Sequence, residues 1–334
     1  MEQNNQLLEL VPYQKTEDRL IEPVEILSSS SKSFIEANTV ECTLDEVRQN
    51  HIIPVWLKDN EPLISHSEFI ETTLNVASDI YHSQRLLQPS IRLSHPIKGR
   101  VPSAKDKPAH LLTEEEKTLF YERMMFVIEV PSIQAEIDGN MLSLTIGGVK
   151  SFSEDNLYQK SGGEQHFKVF IGFQNHVCTN LCVWSDGYIG NLIVKSKADL
   201  VLMLHTLLKN YNPSHHLYHL QELTKYSLTE SQFAQVIGRA RMYNYMPNRI
   251  KQDIPEILFG EQQVSTVVRD YFKDNSFCRD EAGNINLWKL YNLFTGANKS
   301  SYIDSFLDRS VNAYTFAEQL RWGLEGRQKS WYLK

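Results

Sequence analysis

Apolar and polar residues alternate along the middle of the chain, from about residue 124 to residue 196, and such alternation is typical of β-strands. Turn-forming pairs such as Asp138-Gly139 and Asp186-Gly187 separate the apolar runs. Because these connections are short, the pattern favours an antiparallel meander over a parallel βαβ arrangement. The strands predicted in this way are Met124–Val130, Met141–Ile146, Phe167–Phe173, Val177–Trp184 and Gly190–Lys195.

Helical spacing of apolar residues occurs on both sides of this β-rich segment. Ser65 or Ser67 can cap a helix whose apolar positions run from Phe69 to Ile80. We therefore predict an α+β fold, with an antiparallel β-meander in the middle, flanking helices and a helical C-terminal third. The helices predicted after residue 196 are Lys197–Lys209, Glu230–Tyr243 behind Thr229, Gln262–Phe272, Leu287–Phe294 between the cap Asn286 and the stop Gly296, and a last helix that starts at Asn312 or Thr315 and ends at Leu324.

Composition divides the chain into three segments. Residues 1–50 contain ten acidic and four basic residues, so most of the net charge of −7 belongs to this segment. We interpret it as an acidic, partly disordered N-terminal arm. Residues 51–212 are predicted to form an α+β domain with an antiparallel sheet, and residues 213–334 a helical region packed on it.

Three shorter segments qualify this division. Phe34 and Ile35 form an apolar pair that can dock the arm locally, and His51–Trp56 resembles a strand that is bent or ended by Pro54. Residues 89–110 contain four prolines and several cations. We interpret them as a long loop, and a long loop in a compact domain is a candidate for function.

The overall acidity argues against a generally basic nucleic-acid-binding protein, although it leaves room for a local basic patch. The first residues show no secretory signal pattern, and the apolar runs are much shorter than the roughly 20 residues that span a bilayer. Four scattered cysteines do not form a disulfide framework. We therefore expect a soluble cytoplasmic protein with reduced thiols and no membrane partner.

A basic stretch that contains tyrosines carries the strongest candidate chemistry. Cations can meet phosphates, and tyrosine rings can stack on unpaired bases, so this stretch and the basic 98–107 segment predict a groove for single-stranded DNA. The alternative is a solvated helix end whose cations suit the C-terminal dipole. The candidate residues are Lys98, Arg100, Arg239, Arg241, Tyr243, Tyr245, Arg249 and Lys251.

A second group of polar residues follows the predicted helix Leu287–Phe294. Such a polar loop can bind a phosphate or a carboxylate, and Asp304 with Asp308 can hold a cation at i, i+4. The alternative is a hydrogen-bonded turn between helices, with Asp308 and Arg309 as a surface pair. The candidate residues are Asn298, Lys299, Ser300, Ser301 and Asp304.

His215 and His219 lie four residues apart, a spacing that can place two imidazoles on a zinc ion if the segment is helical. However, no HExxH pattern is present, and we interpret these two residues, with His216 and the upstream His205, as a polar surface between helices. Cys178 and Cys182 are interpreted as core thiols. No nucleotide-binding glycine pattern is present, so Gly147-Gly148 is interpreted as a turn. We predict no metal, no cofactor and no catalytic residue.

Several blocks of sequence resemble an uncharacterised bacterial family carried on mobile genetic elements, domain of unknown function 3871, over nearly all of the chain after residue 50. The segments near 177–183 and 287–295 are also distantly similar to phage/plasmid-like proteins with a Cys-Ala-Asn-Thr-Leu motif, which here reads Cys178-Thr-Asn-Leu-Cys182. The resemblance implies a mobile element in a bacterial cytoplasm and supplies no catalytic residues. The matching blocks include His51–Trp56, Ile64–Ile70, Ile97–Arg100, Val169–Phe173, Val177–Val183 and Leu287–Arg309.

Three functions are compatible with these features. The first is a non-enzymatic nucleic-acid-associated protein that handles single strands in replication, transfer or recombination. The second is a protein-binding, anti-defence module whose acidic arm occupies a basic surface on a host protein. The third is a metal-dependent hydrolase that uses Asp304, Asp308 or the histidines, and it ranks last because no constellation has the companions that catalysis requires.

Overall fold

An antiparallel sheet lies at the centre of the computed structural model, which describes residues 33–50, 63–104, 106–158 and 163–334. Strands β1 to β6 follow one another across the sheet in chain order, and β7 pairs with β5 beside β6. This arrangement confirms the predicted α+β fold with an antiparallel meander. The strands are β1 (Val40–Cys42), β2 (Ser90–Arg100), β3 (Lys117–Ile137), β4 (Asn140–Ser151), β5 (Gln165–Asn175), β6 (Leu181–Cys182) and β7 (Tyr188–Val194), and a small second sheet contains β8 (Ser227–Leu228) and β9 (Ile285–Asn286).

Helices cover both faces of the sheet. Three capping patterns read from the sequence are present: Ser65 and Thr229 form capping boxes with the residues three positions later, and the Asn286 side chain accepts a hydrogen bond from Lys289 N. The helices are α1 (Leu44–Asn50), α2 (His66–Ile80), α3 (Phe152–Tyr158), α4 (Lys197–Asn210), α5 (Pro213–Leu223), α6 (Glu230–Tyr245), α7 (Asn248–Lys251), α8 (Glu261–Lys273), α9 (Leu287–Asn298) and α10 (Ile303–Leu324).

Alternation along the long strands divides the core between the two faces of the sheet. Phe126 and Ile128 of β3 join a main apolar core that also contains residues of α2, α4 and the C-terminal helices. Met125 and Val127 face the other way and join a second cluster. That cluster includes Ile303, Phe306 and Leu307, so the first turns of α10 pack on this second face.

Gly147 and Gly148 lie in the middle of β4, so their interpretation as a turn is wrong. They pair with Phe170 and Val169 of β5. A Cβ atom on Gly148 would lie 2.5 Å from Phe69 Cζ, on the face that α2 covers. Glycine is therefore required here because a neighbouring helix and strand approach the backbone too closely for any side chain.

Residues 90–100 form β2, which corrects the predicted loop at 89–110. The strand pairs with both β1 and β3, and its prolines did not prevent this. Pro96 follows His95, which has a φ of 58°, and the β2–β3 register is interrupted only at His95. A local irregularity accommodates the missing proline N–H without ending the strand. Residues 101–104 and 106–116 contain only short 3-10 turns. Lys105 between them lies outside the described residues.

The predicted ends of the last two helices are also wrong. Helix α9 passes Gly296 and continues to Asn298, and α10 begins at Ile303 rather than at Asn312 or Thr315. Asn312 does not cap a helix, because its amide bonds Glu256 O and its side-chain oxygen accepts from Leu258 N. Its side chain instead fixes the segment before α8 onto α10.

The N-terminal arm contributes to the fold within its described part. Phe34 and Ile35 are buried in the second cluster, which confirms the predicted docking patch. Residues 40–50 form β1 and α1, so the sheet begins inside the segment that composition assigns to the arm. The rest of the arm, and the predicted strand His51–Trp56, lie outside the described residues.

Candidate functional site

The basic stretch 238–251 occupies the end of α6 and all of α7, and its candidate residues Arg239, Arg241 and Tyr243 on α6 take part in internal contacts. Arg239 donates a hydrogen bond to Trp331 O, and its guanidinium lies 5.2 Å from the centre of the Trp331 ring. Arg241 forms an ion pair with Glu261, with its Nε 2.6 Å from Glu261 Oε1. Tyr243 is buried in the main core. Its ring therefore cannot stack on a base.

The other three candidate residues lie around the corner between α6 and α7. Tyr245 is 79% exposed, and Arg249 is exposed and forms no hydrogen bond or ion pair within the described ranges. Lys251 Nζ lies 4.8 Å from the centre of the Tyr243 ring, which orients the ammonium group against the end of α6. We call this surface the α6–α7 corner and define it by Arg241, Tyr245, Arg249 and Lys251, together with the exposed apolar residues Met242 and Ile250.

Lys98 and Arg100 lie on β2, in register with Leu119 and Lys117 of β3. Lys98 is exposed, whereas the side chain of Arg100 is not among those described. Helix α6 packs instead on α8, on β8 and on the turn at residues 331–333. No hydrogen bond or ion pair in the described part of the chain joins Lys98 to the α6–α7 corner.

The polar loop is a hydrogen-bonded connection between α9 and α10, as its alternative interpretation predicts. Asn298 is buried, and its amide donates to Phe306 O at 2.8 Å and to Ser310 Oγ at 3.0 Å. Lys299 Nζ donates to Cys178 O and, at 2.8 Å, to Thr179 Oγ1. Ser300 and Ser301 also bond within the chain, Ser300 to Ala297 O and Ser301 as an acceptor from Arg309.

Asp304 and Asp308 do contact cations, and these cations are the side chains of Lys168 and Arg123 in the sheet. Lys168 Nζ of β5 lies 2.7 Å from Asp308 Oδ2 and donates to the main-chain oxygen of Asp304 at 2.5 Å. Arg123 Nη1 of β3 lies 2.8 Å from Asp304 Oδ2. The expected surface pair of Asp308 with Arg309 is therefore wrong, since Arg309 bonds Leu258 O and Ser301 instead.

This group of charges is partly buried between α10 and the second face of the sheet. Tyr188 donates a hydrogen bond to Asp308 Oδ1 at 2.5 Å, and burial, aided by this carboxylate, raises the pKa of its phenol. Burial also raises the pKa of the Glu154 and Asp304 carboxyl groups. Tyr188 and Asp308 line one side of a cavity of about 320 Å³ between α10 and residues 255–258. The cluster therefore fixes α10 to the sheet and borders an open cavity.

The three histidines near residue 215 differ in their surroundings. His216 is fully buried, bonds the Tyr211 hydroxyl at 2.6 Å through Nδ1, and has a pKa lowered to about 3 by burial and by the neighbouring histidines. On α5, His215 is exposed and His219 is half-buried, and their Nε2 atoms are 3.1 Å apart. The ring of Trp184 packs against both. His216 is thus a core residue, whereas the other two form a pair.

Cys182 is buried in the main core, where burial raises the pKa of its thiol. Cys178 lies in the turn after β5 instead of on a strand, because only Leu181 and Cys182 of the predicted strand Val177–Trp184 pair with β5. Thr179, with a φ of 56°, makes this turn possible. Six of the eight residues of the predicted strand therefore lie outside β6.

Two negative findings apply to the residues that the structure describes. No group of three or more His, Cys, Asp or Glu side chains is arranged to hold a metal ion. No helix there combines the length and the apolar composition that crossing a bilayer requires.

The sequence did not reveal Lys168, Arg123 and Tyr188 as partners of the polar loop. Alternation along β3 and β5 places Arg123 and Lys168 on the second face, but a sequence pattern does not say which helix covers that face. The available signal was a charged residue at a strand position where the alternation predicts an apolar residue.

Comparison with known proteins identifies the family but not the activity. Comparisons with curated proteins and with solved structures give no significant match. A family model described as "Domain of unknown function, B. Theta Gene description (DUF3871)" matches residues 15–333. Because this match covers nearly the whole chain, including the α6–α7 corner, the polar loop and the histidine pair, the protein belongs to the DUF3871 family of domains of unknown function.

Proposed function

We propose that this protein is a non-enzymatic, nucleic-acid-associated protein that contacts unpaired strands through the α6–α7 corner. The observation that carries the proposal is the exposure of Tyr245, at 79%, beside cations. Arg241 precedes it by one helical turn on the same face of α6, and Arg249 follows on α7. This arrangement offers an aromatic face for a base and positive charges for the adjoining phosphates.

The ion pair between Arg241 and Glu261 does not remove Arg241 from this surface. Both side chains are about half exposed, and exposed ion pairs contribute little to stability. A phosphate group can therefore compete with the carboxylate for the guanidinium. Arg249, which has no partner within the described ranges, is available without competition.

The internal residues of the same stretch hold the corner in place. Arg239 attaches α6 to Trp331 near the C-terminus, and the ammonium group of Lys251 packs against the buried ring of Tyr243. The surface is thus rigid on its inner side, which lowers the entropic cost of binding a flexible strand. The resemblance to proteins of mobile genetic elements supports a role in single-strand handling during replication, transfer or recombination.

Fluorescence anisotropy tests this proposal, with a labelled single strand and a matched duplex at two salt concentrations. Stacking on one base is worth about 1–3 kcal/mol, so Tyr245→Ala should weaken single-strand binding by about 5- to 150-fold. Arg249→Ala should weaken binding and reduce the salt slope by about 0.7. Tyr218→Ala is the matched control, because Tyr218 is a tyrosine of α5 that is also more than half exposed.

Three results would contradict the proposal. The first is an absence of binding to either nucleic acid at low salt. The second is binding that Tyr245→Ala and Arg249→Ala leave unchanged, which would place any contact elsewhere. Equal losses in Tyr218→Ala and Tyr245→Ala would also count against a specific site at the α6–α7 corner.

A further inference from the structure

The surface of α5 carries two histidines whose ring nitrogens point at one another. His215 and His219 lie one helical turn apart, their Nε2 atoms are 3.1 Å apart, and their ring centres are 4.6 Å apart. Zinc binds imidazole nitrogen at about 2.0–2.1 Å, and two ligands of a tetrahedral ion at that bond length lie about 3.4 Å apart. The observed separation requires only a small adjustment to place one ion between the two nitrogens.

A carboxylate lies behind one of these rings. Glu318 Oε1 of α10 is 3.6 Å from the Nδ1 atom of His219, which is buried and has no hydrogen-bond partner within the described residues. Tyr314 OH and Arg321 Nη2 hold the same carboxylate oxygen at 3.3 Å and 3.6 Å. Histidines that bind metals usually donate their second N–H group to a carboxylate, which orients the ring and fixes the proton on the far nitrogen.

Trp184 supports both rings from the side of the core. Its ring centre lies 5.0 Å from that of His215 and 4.8 Å from that of His219. His215 is exposed, so the space beyond the two Nε2 atoms opens to solvent. The pair thus has a fixed inner side and an open outer side, which is the arrangement of a metal site that keeps positions for water.

We propose that His215 and His219 bind one divalent transition-metal ion through their Nε2 atoms, with water in the remaining positions and Glu318 as the positioning residue for His219. Two imidazoles without thiolates or further carboxylates suit Zn²⁺, Cu²⁺ and Ni²⁺, whereas Mg²⁺ and Ca²⁺ require oxygen ligands. Affinity should follow the order for nitrogen ligands, with Cu²⁺ above both Ni²⁺ and Zn²⁺. This site is independent of the α6–α7 corner.

The test is isothermal titration calorimetry of the full-length protein with Zn²⁺, Ni²⁺ and Cu²⁺, each alone, and with Mg²⁺ for comparison. We expect one transition-metal ion to bind per chain, with at least a tenfold loss of affinity in both His215→Gln and His219→Gln. Glu318→Gln should weaken binding by about tenfold, because partners behind a metal ligand typically contribute 10- to 100-fold in affinity. His82→Gln, which changes another exposed histidine, should have no effect.

Tryptophan fluorescence locates the ion by a second route. Bound Cu²⁺ quenches emission from a nearby indole, so the quenching should be strongly reduced in Trp184→Phe and in His215→Gln. His215 is exposed, so its substitution leaves the fold intact and gives an answer even if His219→Gln is destabilised. The proposal is overturned if none of the three transition-metal ions binds, or if binding and quenching persist unchanged in His215→Gln.

Discussion

A buried lysine on β4 allows a direct test of how α3 is attached to the sheet. Lys150 has no solvent exposure, and its Nζ lies 2.6 Å from Asp155 Oδ2 and 4.1 Å from the centre of the Phe167 ring. Asp155 also accepts a hydrogen bond from His166 N at 2.7 Å. The pair thus attaches α3 to β4 and β5. Replacing Lys150 with Met keeps much of its length and removes its charge.

The expected loss follows from the buried carboxylate that remains. Removing one partner of a buried ion pair costs about 3–5 kcal/mol, because the other charge is left without compensation. The whole free energy of unfolding of a protein is only about 5–15 kcal/mol. With a urea dependence of about 3 kcal/mol per molar, Lys150→Met should lower the unfolding midpoint by about 1–1.7 M. Circular dichroism during urea titration measures this shift.

The diagnostic result is a change of sign in the double-mutant cycle. In the wild-type background, Asp155→Asn should destabilise the protein, because it leaves the Lys150 ammonium without a counter-charge. In the Lys150→Met background, the same substitution should be stabilising, since it removes the uncompensated charge and keeps an oxygen for His166 N. If Asp155→Asn has the same effect in both backgrounds, the two groups are not coupled and the reasoning fails.

Three further predictions concern stability. Burial lowers the pKa of Lys150 from 10.5 to about 8, so between these pH values only the unfolded chain keeps the proton. The stability of the wild type relative to Lys150→Met, measured in urea titrations, should therefore rise with pH from about 8 to 10.5. A fall would contradict the burial. Gly148→Ala should lower the free energy of unfolding by about 1–3 kcal/mol in thermal unfolding, because its Cβ would collide with Phe69. Gly238→Ala in helix α6 should raise it by about 0.5–1 kcal/mol, because no atom lies within 4 Å of the added Cβ. Lys299→Met should cost about 1–3 kcal/mol and expose residues 33–39 to proteolysis, because it removes the hydrogen bonds to Cys178 O and to Thr179 Oγ1, the hydroxyl that donates to Ser33 O. Unchanged proteolysis would refute that role.

Local signals in the sequence predicted the helix starts because both partners of a cap lie within four residues. Ser65 with Glu68 and Thr229 with Gln232 are such pairs, and both are present. The start of α10 at Ile303 has no side-chain cap, so no local signal in the sequence indicated it. The prediction placed the start at Asn312 instead, but the side-chain oxygen of Asn312 accepts a hydrogen bond from Leu258 N. Sequence reasoning about ends is thus reliable where the chain itself supplies the cap.

The β2 strand was missed for a related reason. Its prolines and cations are typical of a loop, and only the two neighbouring strands show why residues 90–100 remain extended. Ten residues of β2 pair with β3, which compensates for the irregularity at His95 and Pro96. Tertiary pairing overrides local preference here, because the segment gains hydrogen bonds on both sides.

Polar partners that lie far apart in the sequence could not be predicted from residue spacing. Lys168 and Asp308 are 140 positions apart in the chain, and Lys299 reaches back about 120 positions to Thr179. Asp308 was assigned to its sequence neighbour Arg309, because adjacent opposite charges suggest a surface pair. A helix turns neighbouring residues through about 100°, so Asp308 and Arg309 face different partners.

The salt dependence of nucleic-acid binding distinguishes the groove predicted from the sequence from the corner that the structure offers. A groove that used all six candidate cations would give a slope of log K against log salt near −4, since each phosphate contact with a single strand contributes about −0.7. The α6–α7 corner offers Arg249, Lys251 and, in competition with Glu261, Arg241, so its slope should be about −1.4 to −2. Glu261→Gln should then strengthen binding, because it frees Arg241. A slope near −4 would show that more cations than those of the corner meet phosphates, and the assignment of the site to the corner alone would be wrong.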